Sequence, residues 1–198
     1  MNQTNIYDPF TVEPLTLKQI RQLYAERLIK DFPSDEIRRL TNLERSYQRG
    51  EYLCFGAMSN GSILAYAFFV KLGENDCALL DYFAVAPEHR DHGLGGAFLR
   101  KLMAGPLRGL QGALLEIEDP SKAESEAERS LRERRMQFYL RNGMVSTGVR
   151  SKAFGVDFLL LSMPVGSSPS PDDVRRMYAR LYHAILSADV YAMQVVIH

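Results

Sequence analysis

Three glycines stand where a chain could wrap an anion. They lie in Ala84-Val85-Ala86-Pro87-Glu88-His89-Arg90-Asp91-His92-Gly93-Leu94-Gly95-Gly96, behind an apolar run and just after an arginine. Glycines at a strand-to-helix junction let the backbone approach a ligand with no side chain in the way. The free N–H groups and positive dipole end of a helix's first turn then suit a pyrophosphate, and Arg90 adds a charge-assisted contact. A P-loop is excluded because Ala97 and Phe98 follow Gly96 where lysine and a hydroxyl residue are required, and GxGxxG fails as well. What remains is Arg-x-x-Gly-x-Gly after a strand that Pro87 breaks three residues earlier. The plain alternative is a glycine-rich turn that serves helix packing alone.

Carboxylates are the other groups whose spacing carries chemistry. Glu116 and Glu118 lie two apart on a predicted strand, so they share a face and either is fitted to take a proton from an amine, directly or through water. An outward face, or a salt bridge to the arginines of the next helix, explains the pair equally well. Asp81 is a weaker candidate beside Tyr82, and His89 and His92 read as solvated loop histidines flanking Arg90. Asp31, Asp35 and Glu36 surround Phe32-Pro33 and suit an ammonium group, which makes Asp35 and Glu36 substrate-binding candidates. Helix capping accounts for them too. Cys54 and Cys77 each sit in an apolar stretch with no CxxC and no histidine cluster, so both read as reduced core residues and no metal site is expected.

The elements that must hold these groups are legible from periodicity. Thr16 with Gln19 reads as a capping box, followed by Leu17, Ile20, Tyr24 and Leu28 at helical spacing. A second helix is predicted after Pro33, capped by Ser34 or Asp35, with Ile37, Leu40, Leu43 and Tyr47 on one face and a stop at Gly50. Residues 51–59 and 62–71 form a hairpin across Asn60-Gly61, the pair that best tolerates a tight turn. A strand over 77–86, a helix over 93–103 and a strand over 112–118 come next. A long helix is then predicted over 121–142, charged at its start, and 144–152 and 154–163 close as a pair of strands. Residues 164–171 read as a Gly/Ser/Pro linker, Val174, Met177, Tyr178, Leu181 and Ile185 as an amphipathic helix, and 190–197 as an apolar tail.

Length and charge bound the rest. A chain of 198 residues accommodates one sizeable core, here 1–164, with 165–198 as a linker and helical appendage. The 24 basic and 24 acidic side chains cancel, which removes the electrostatic pull that nucleic-acid and membrane-surface binders use. Residues 1–10 lack a basic region followed by an apolar one, and 158–161 is too short to cross a bilayer, so a cytoplasmic location and no membrane partner are expected.

The Arg90–Gly96 motif resembles the signature of the GNAT superfamily of acetyl-CoA-dependent N-acetyltransferases: a strand, a proline, then Gln or Arg-x-x-Gly-x-Gly or Ala. Arg135-Met136-Gln137-Phe138-Tyr139-Leu140-Arg141-Asn142-Gly143-Met144 is similar to the family's later element, in which Phe-Tyr or Leu-Tyr precedes Gly-Phe, with Met144 in place of Phe. The resemblance covers most of the chain, from Leu15 to Pro164. It implies an α/β (α+β) fold with a mixed, mostly antiparallel central sheet flanked by helices.

The resemblance also implies roles. Backbone groups of Phe83, Ala84 and Val85 would pair with the pantetheine arm of acetyl-CoA, and Arg90, Asp91, His92, Gly93, Leu94, Gly95 and Gly96 would hold its pyrophosphate. Tyr139 would be the general acid for the departing thiolate, with Glu116 or Glu118 as base, in direct attack by an amine within a ternary complex. The acceptor is a small-molecule amine or a peptide amine. A non-catalytic acyl-CoA sensor and an interaction module on the same fold stay open, as does a homodimer formed through the C-terminal segment.

Overall fold

In the computed structural model, which describes residues 10–34, 36–73, 76–166 and 168–198, the chain opens with β1 (Thr11–Pro14) and α1 (Leu17–Leu23), which continues through a π turn (Tyr24–Leu28) to a last turn at Ile29–Asp31. There follow α2 (Leu40–Gln48), β2 (Tyr52–Ser59), β3 (Ser62–Lys71), β4 (Cys77–Val85), α3 (Leu94–Ala104) and β5 (Gly112–Glu118). The remainder is α4 (Glu126–Arg141), β6 (Val145–Ala153), β7 (Val156–Met163), α5 (Pro171–Ile185), α6 (Ala188–Gln194) and β8 (Val195–Ile197). This is the mixed, mostly antiparallel sheet with flanking helices expected from the resemblance.

The chain forms two compact units, one from residues up to Lys71 together with Asp81–Lys101, the other from Leu72–Leu80 together with Leu102–His198. In the first, strand order is β1-β2-β3-β4; in the second it is β4-β5-β7-β6-β8. The strand β4 therefore contributes its end to one unit and its beginning to the other. Its pairing with β5, Cys77 opposite Gly112 through Leu80 opposite Leu115, is parallel, and the neighbouring pairs β1/β2, β2/β3, β5/β7, β6/β7 and β6/β8 are antiparallel.

Local signals fix the first unit's edges. Thr16 and Gln19 form the expected capping box, with the Gln19 amide donating to Thr16 Oγ1 at 3.4 Å and the Thr16 amide to Gln19 Oε1 at 2.9 Å. The β2–β3 hairpin turns through Asn60 (φ 47°) and Gly61 (φ 77°), the two left-handed residues such a two-residue turn requires. The core then closes on aromatics, with Phe68 packed edge-on against Tyr52 and Tyr82.

Two helices begin later than their sequence signals predict. Helix α2 starts at Leu40, not after Pro33, because the preceding backbone is bound by tyrosines. The Arg38 amide donates to Tyr82 Oη at 2.9 Å, Tyr82 donates to the Glu36 carbonyl at 2.9 Å, and Tyr24 to the Arg38 carbonyl at 3.1 Å. Of the two expected caps, Ser34 does not cap α2, whose N-cap is Arg39, and Asp35 lies outside the described residues. Helix α4 starts at Glu126, where Ser125 Oγ accepts from the Glu128 amide at 3.2 Å. The stretch before it is a 3-10 turn, Pro120–Lys122, capped by Asp119.

The second unit is sealed by its last segment. Val174, Tyr178 and Leu181 of α5 are fully buried. The expected apolar tail is instead α6 followed by β8. The cap at Ser187 and the stacking of His183 on Tyr191, with ring centroids 3.8 Å apart, turn the chain into the helix, and β8 then pairs with β6.

Candidate active site

The junction after β4 has the geometry an anion site needs. Pro87–His89 form one 3-10 turn, then Asp91 (φ 61°) and Gly93 (φ 85°) take left-handed conformations that fold the loop ahead of α3. A Cβ on Gly93 would meet nothing within 4 Å, so this face of the loop is open. The first intrahelical bond of α3 runs from the Ala97 amide to the Gly93 carbonyl at 3.1 Å, which leaves the amides of Leu94, Gly95 and Gly96 ahead of the ladder. Phe98 anchors the helix, stacked on Phe83 with centroids 5.9 Å apart.

Arg90 is held by its own loop. Its Nε donates to the Val85 carbonyl at 2.9 Å and its Nη2 to Asp31 Oδ1 at 3.0 Å, with the side chain 49 % exposed. The Asp31 side chain is only 8% exposed, and its other oxygen accepts from Tyr66 at 2.9 Å and lies 3.5 Å from Arg27 Nη2. Two guanidiniums thus neutralise Asp31, so this carboxylate ties α1 to the glycine loop and has no charge left over for a ligand's ammonium. Burial, then the Asp31 charge, push the Tyr66 phenol upward. Glu36 is exposed, and its partner in the expected acidic pair, Asp35, lies outside the described residues.

Asp81 is likewise engaged. It accepts from the Tyr52 hydroxyl and from Arg38 Nε, the latter at 2.8 Å. With Tyr82 holding the Arg38 backbone, β4 fixes the α1–α2 connection at two points.

In the second unit Glu116 and Glu118 do share a face of β5, but their surroundings differ. Glu118 lies between two arginines of α4, with Arg135 Nη1 2.8 Å from Oε2 and Arg132 Nη2 3.3 Å from Oε1. Arg132 also reaches Glu128 at 2.6 Å and the Asp119 carbonyl at 3.0 Å. Glu116 Oε1 instead accepts from the hydroxyls of Tyr178 and Tyr182 of α5, Tyr182 at 2.7 Å. Sequence reading placed Tyr178 only in an apolar stripe. The overlooked signal is two tyrosines four apart on one helical face, whose hydroxyls need partners once the rings are buried.

Tyr139 is buried near the end of α4, its ring edge-on to Phe138 at 5.1 Å, and its carbonyl closes the helix by accepting from the Asn142 and Met144 amides. Burial pushes its phenol up to about 12, against the pull of Arg135. Beyond β5, Asp119 is buried; burial raises its carboxyl, but bonds from Ser121 and the charge of Arg150 leave it below the ordinary value. Asp119, Asp157, Lys122 and Arg150 line a pocket of about 160 Å³ with Ser151, Phe158 and His198. Cys54 and Cys77 are buried, and burial followed by Asp76 pushes the Cys77 thiol up to about 12, so it is inert at neutral pH. Among the described residues no cluster of three or more His, Cys, Asp or Glu is placed to hold a metal, and no helix is long and apolar enough to cross a membrane.

A glycine loop opening onto a helix N-terminus, on this mixed sheet, is the arrangement that the resemblance leads one to expect. The chain belongs to the acetyltransferase (GNAT) family, whose model matches residues 17–142. No curated protein matches it in sequence. Among solved structures it is similar to a GNAT-family protein from Bacteroides thetaiotaomicron, at 21% identity and a TM-score of 0.67, with 88% of this chain and 97% of that one covered. It is also similar to the ribosomal-protein-S18-alanine N-acetyltransferase of Escherichia coli, at 22% identity and a TM-score of 0.58, covering 81% and 97%. A GNAT family acetyltransferase from Elizabethkingia anophelis with acetyl-CoA bound matches at 17% identity and a TM-score of 0.56, covering 79% and 99%. At these identities the likeness is one of fold.

Proposed function

We propose that this acyltransferase moves an acetyl group from acetyl-CoA to a primary amine by direct attack in a ternary complex. The observation that carries this reading is the open loop at Asp91–Gly93 with the α3 amides of Leu94–Gly96 ahead of the helical ladder. Those amides suit the pyrophosphate of acetyl-CoA, and the backbone of Phe83, Ala84 and Val85 takes its pantetheine arm. Arg90 adds positive charge while its Nε and Nη2 hold the loop to Val85 and Asp31. Residues 1–164 form the acetyltransferase domain in this reading, and 165–198 add α5, α6 and β8.

Of the two β5 carboxylates, Glu116 is the base. Both oxygens of Glu118 are held by guanidiniums, Arg135 on Oε2 and Arg132 on Oε1, so neither is open to an acceptor's ammonium. Glu116 receives neutral phenols on one oxygen. It takes a proton from the acceptor's ammonium, so the nitrogen lone pair is free to form the N–C bond. As the C–S bond breaks, CoA leaves as its thiolate, which takes up the second proton shed by the new amide nitrogen, and Tyr139 meets the sulfur's charge with its hydroxyl. Glu36, with Asp35, attracts the ammonium.

The test is thiol release from acetyl-CoA with a panel of small amines and of peptides. A peptide with a free N-terminal alanine belongs in it because one structurally similar enzyme is an N-acetyltransferase of a ribosomal-protein alanine. Turnover, together with a rise in melting temperature on adding acetyl-CoA, supports the reading. A rise without turnover on any acceptor indicates an acyl-CoA sensor, and no rise refutes the cofactor site.

A further inference from the structure

The chemistry not yet used lies on α5, beyond the residues 17–142 that match the family. Tyr178 and Tyr182 both direct their hydroxyls to Glu116 Oε1, with their rings tilted against each other at 4.7 Å. Ser151 of β6 donates to Tyr178 Oη at 2.9 Å. Because that oxygen is already accepting, the single Tyr178 proton is directed to Glu116. The helix is seated hard on the strand: a Cβ on Gly112 would stand 3.1 Å from the Met177 sulfur. Tyr178 is fully buried and Tyr182 nearly so, which leaves neither ring another rotamer to use.

Two neutral donors stabilise a carboxylate's charged form without placing a countercharge beside it. That differs from Glu118, which Arg132 and Arg135 hold as an ion pair. We propose that Tyr178 and Tyr182 are positioning residues for acetyl transfer, holding Glu116 as an oriented carboxylate ready to take the acceptor's proton. The inference rests on the reading of Glu116 as the base. The charged and titratable side chains around it in the second unit include the two tyrosines of α5, Glu118 two residues on along β5, and Arg132 and Arg135 of α4 behind Glu118. Both tyrosines are in direct contact with it. Burial, then the charge of Glu116, push both phenols upward, so they remain donors through the neutral range.

The test follows the Glu116 side-chain carbon by 13C NMR in glutamate-labelled protein, assigned with Glu116→Gln, in wild type, Tyr178→Phe and Tyr182→Phe. Circular dichroism melts confirm that each variant is folded. Each phenylalanine is expected to raise the Glu116 midpoint by about one pH unit, roughly tenfold in proton affinity. The acidic limb of kcat/KM for whichever panel amine turns over moves up with it, while KM for acetyl-CoA holds. Ser151→Ala, which contacts Tyr178, produces a smaller shift in the same direction. A midpoint unmoved in both variants overturns the bracing. A midpoint that moves while the acidic limb stays put removes its catalytic role. Full turnover by Glu116→Gln instead sinks the base reading whatever the tyrosines do, so the two failures are told apart.

Discussion

A buried phenol with its pKa near 12 is a poor proton source and a durable hydrogen-bond donor. A free thiol titrates at about 8.5, so in the proposed reaction Tyr139 would act by keeping its O–H directed at the developing thiolate, not by ionising first. Tyr139→Phe should lower kcat roughly a hundredfold while acetyl-CoA still raises the melting temperature; an unchanged kcat would remove Tyr139 from the chemistry. The same shift has a sign in stability. Folding raises this phenol from 10.0 to about 12, so its contribution is complete below pH 10 and is lost as pH rises toward 12, where the unfolded chain ionises first. Urea melts at pH 9 and pH 11 should therefore diverge more for wild type than for Tyr139→Phe.

At the scale of elements, two left-handed glycines with equally open surroundings separate folding from function. Gly61 (φ 77°) turns the β2–β3 hairpin and Gly93 (φ 85°) opens the loop before α3, and a Cβ at either meets nothing within 4 Å. Alanine at each should cost about 1 kcal/mol through backbone conformation alone. Only Gly93→Ala should also weaken the acetyl-CoA-induced rise in melting temperature; equal loss in both would remove the special role of the loop. The hairpin, the Thr16 capping box and the glycine loop were all readable in sequence because each is decided within a few residues. The late start of α2 was not, since the groups that bind the Arg38 backbone are Tyr24 and Tyr82, 14 and 44 residues away. Glu116 shows the same limit. Its position on a strand face was legible, but its partners stand 62 and 66 residues further on. The ties of Asp31 were not legible either, because nothing local announces Arg90, 59 residues later.

On the scale of the molecule, the chain passes between its two compact units three times, after Lys71, Leu80 and Lys101. No single cut yields one whole unit, so fragments 1–71 and 72–198 should each fail to show a cooperative melt when made alone; a sharp transition in either would show that it closes a core unaided. The last segment is no less integral to its unit. Leu181 is fully buried, and Leu181→Ala should cost about 3 kcal/mol, read as a lowered denaturation midpoint in urea. The 62 residues that separate Glu116 from Tyr178 also set an order in time during synthesis. The carboxylate leaves the ribosome well before the helix whose hydroxyls it accepts from, so Glu116 spends the interval without Tyr178 and Tyr182.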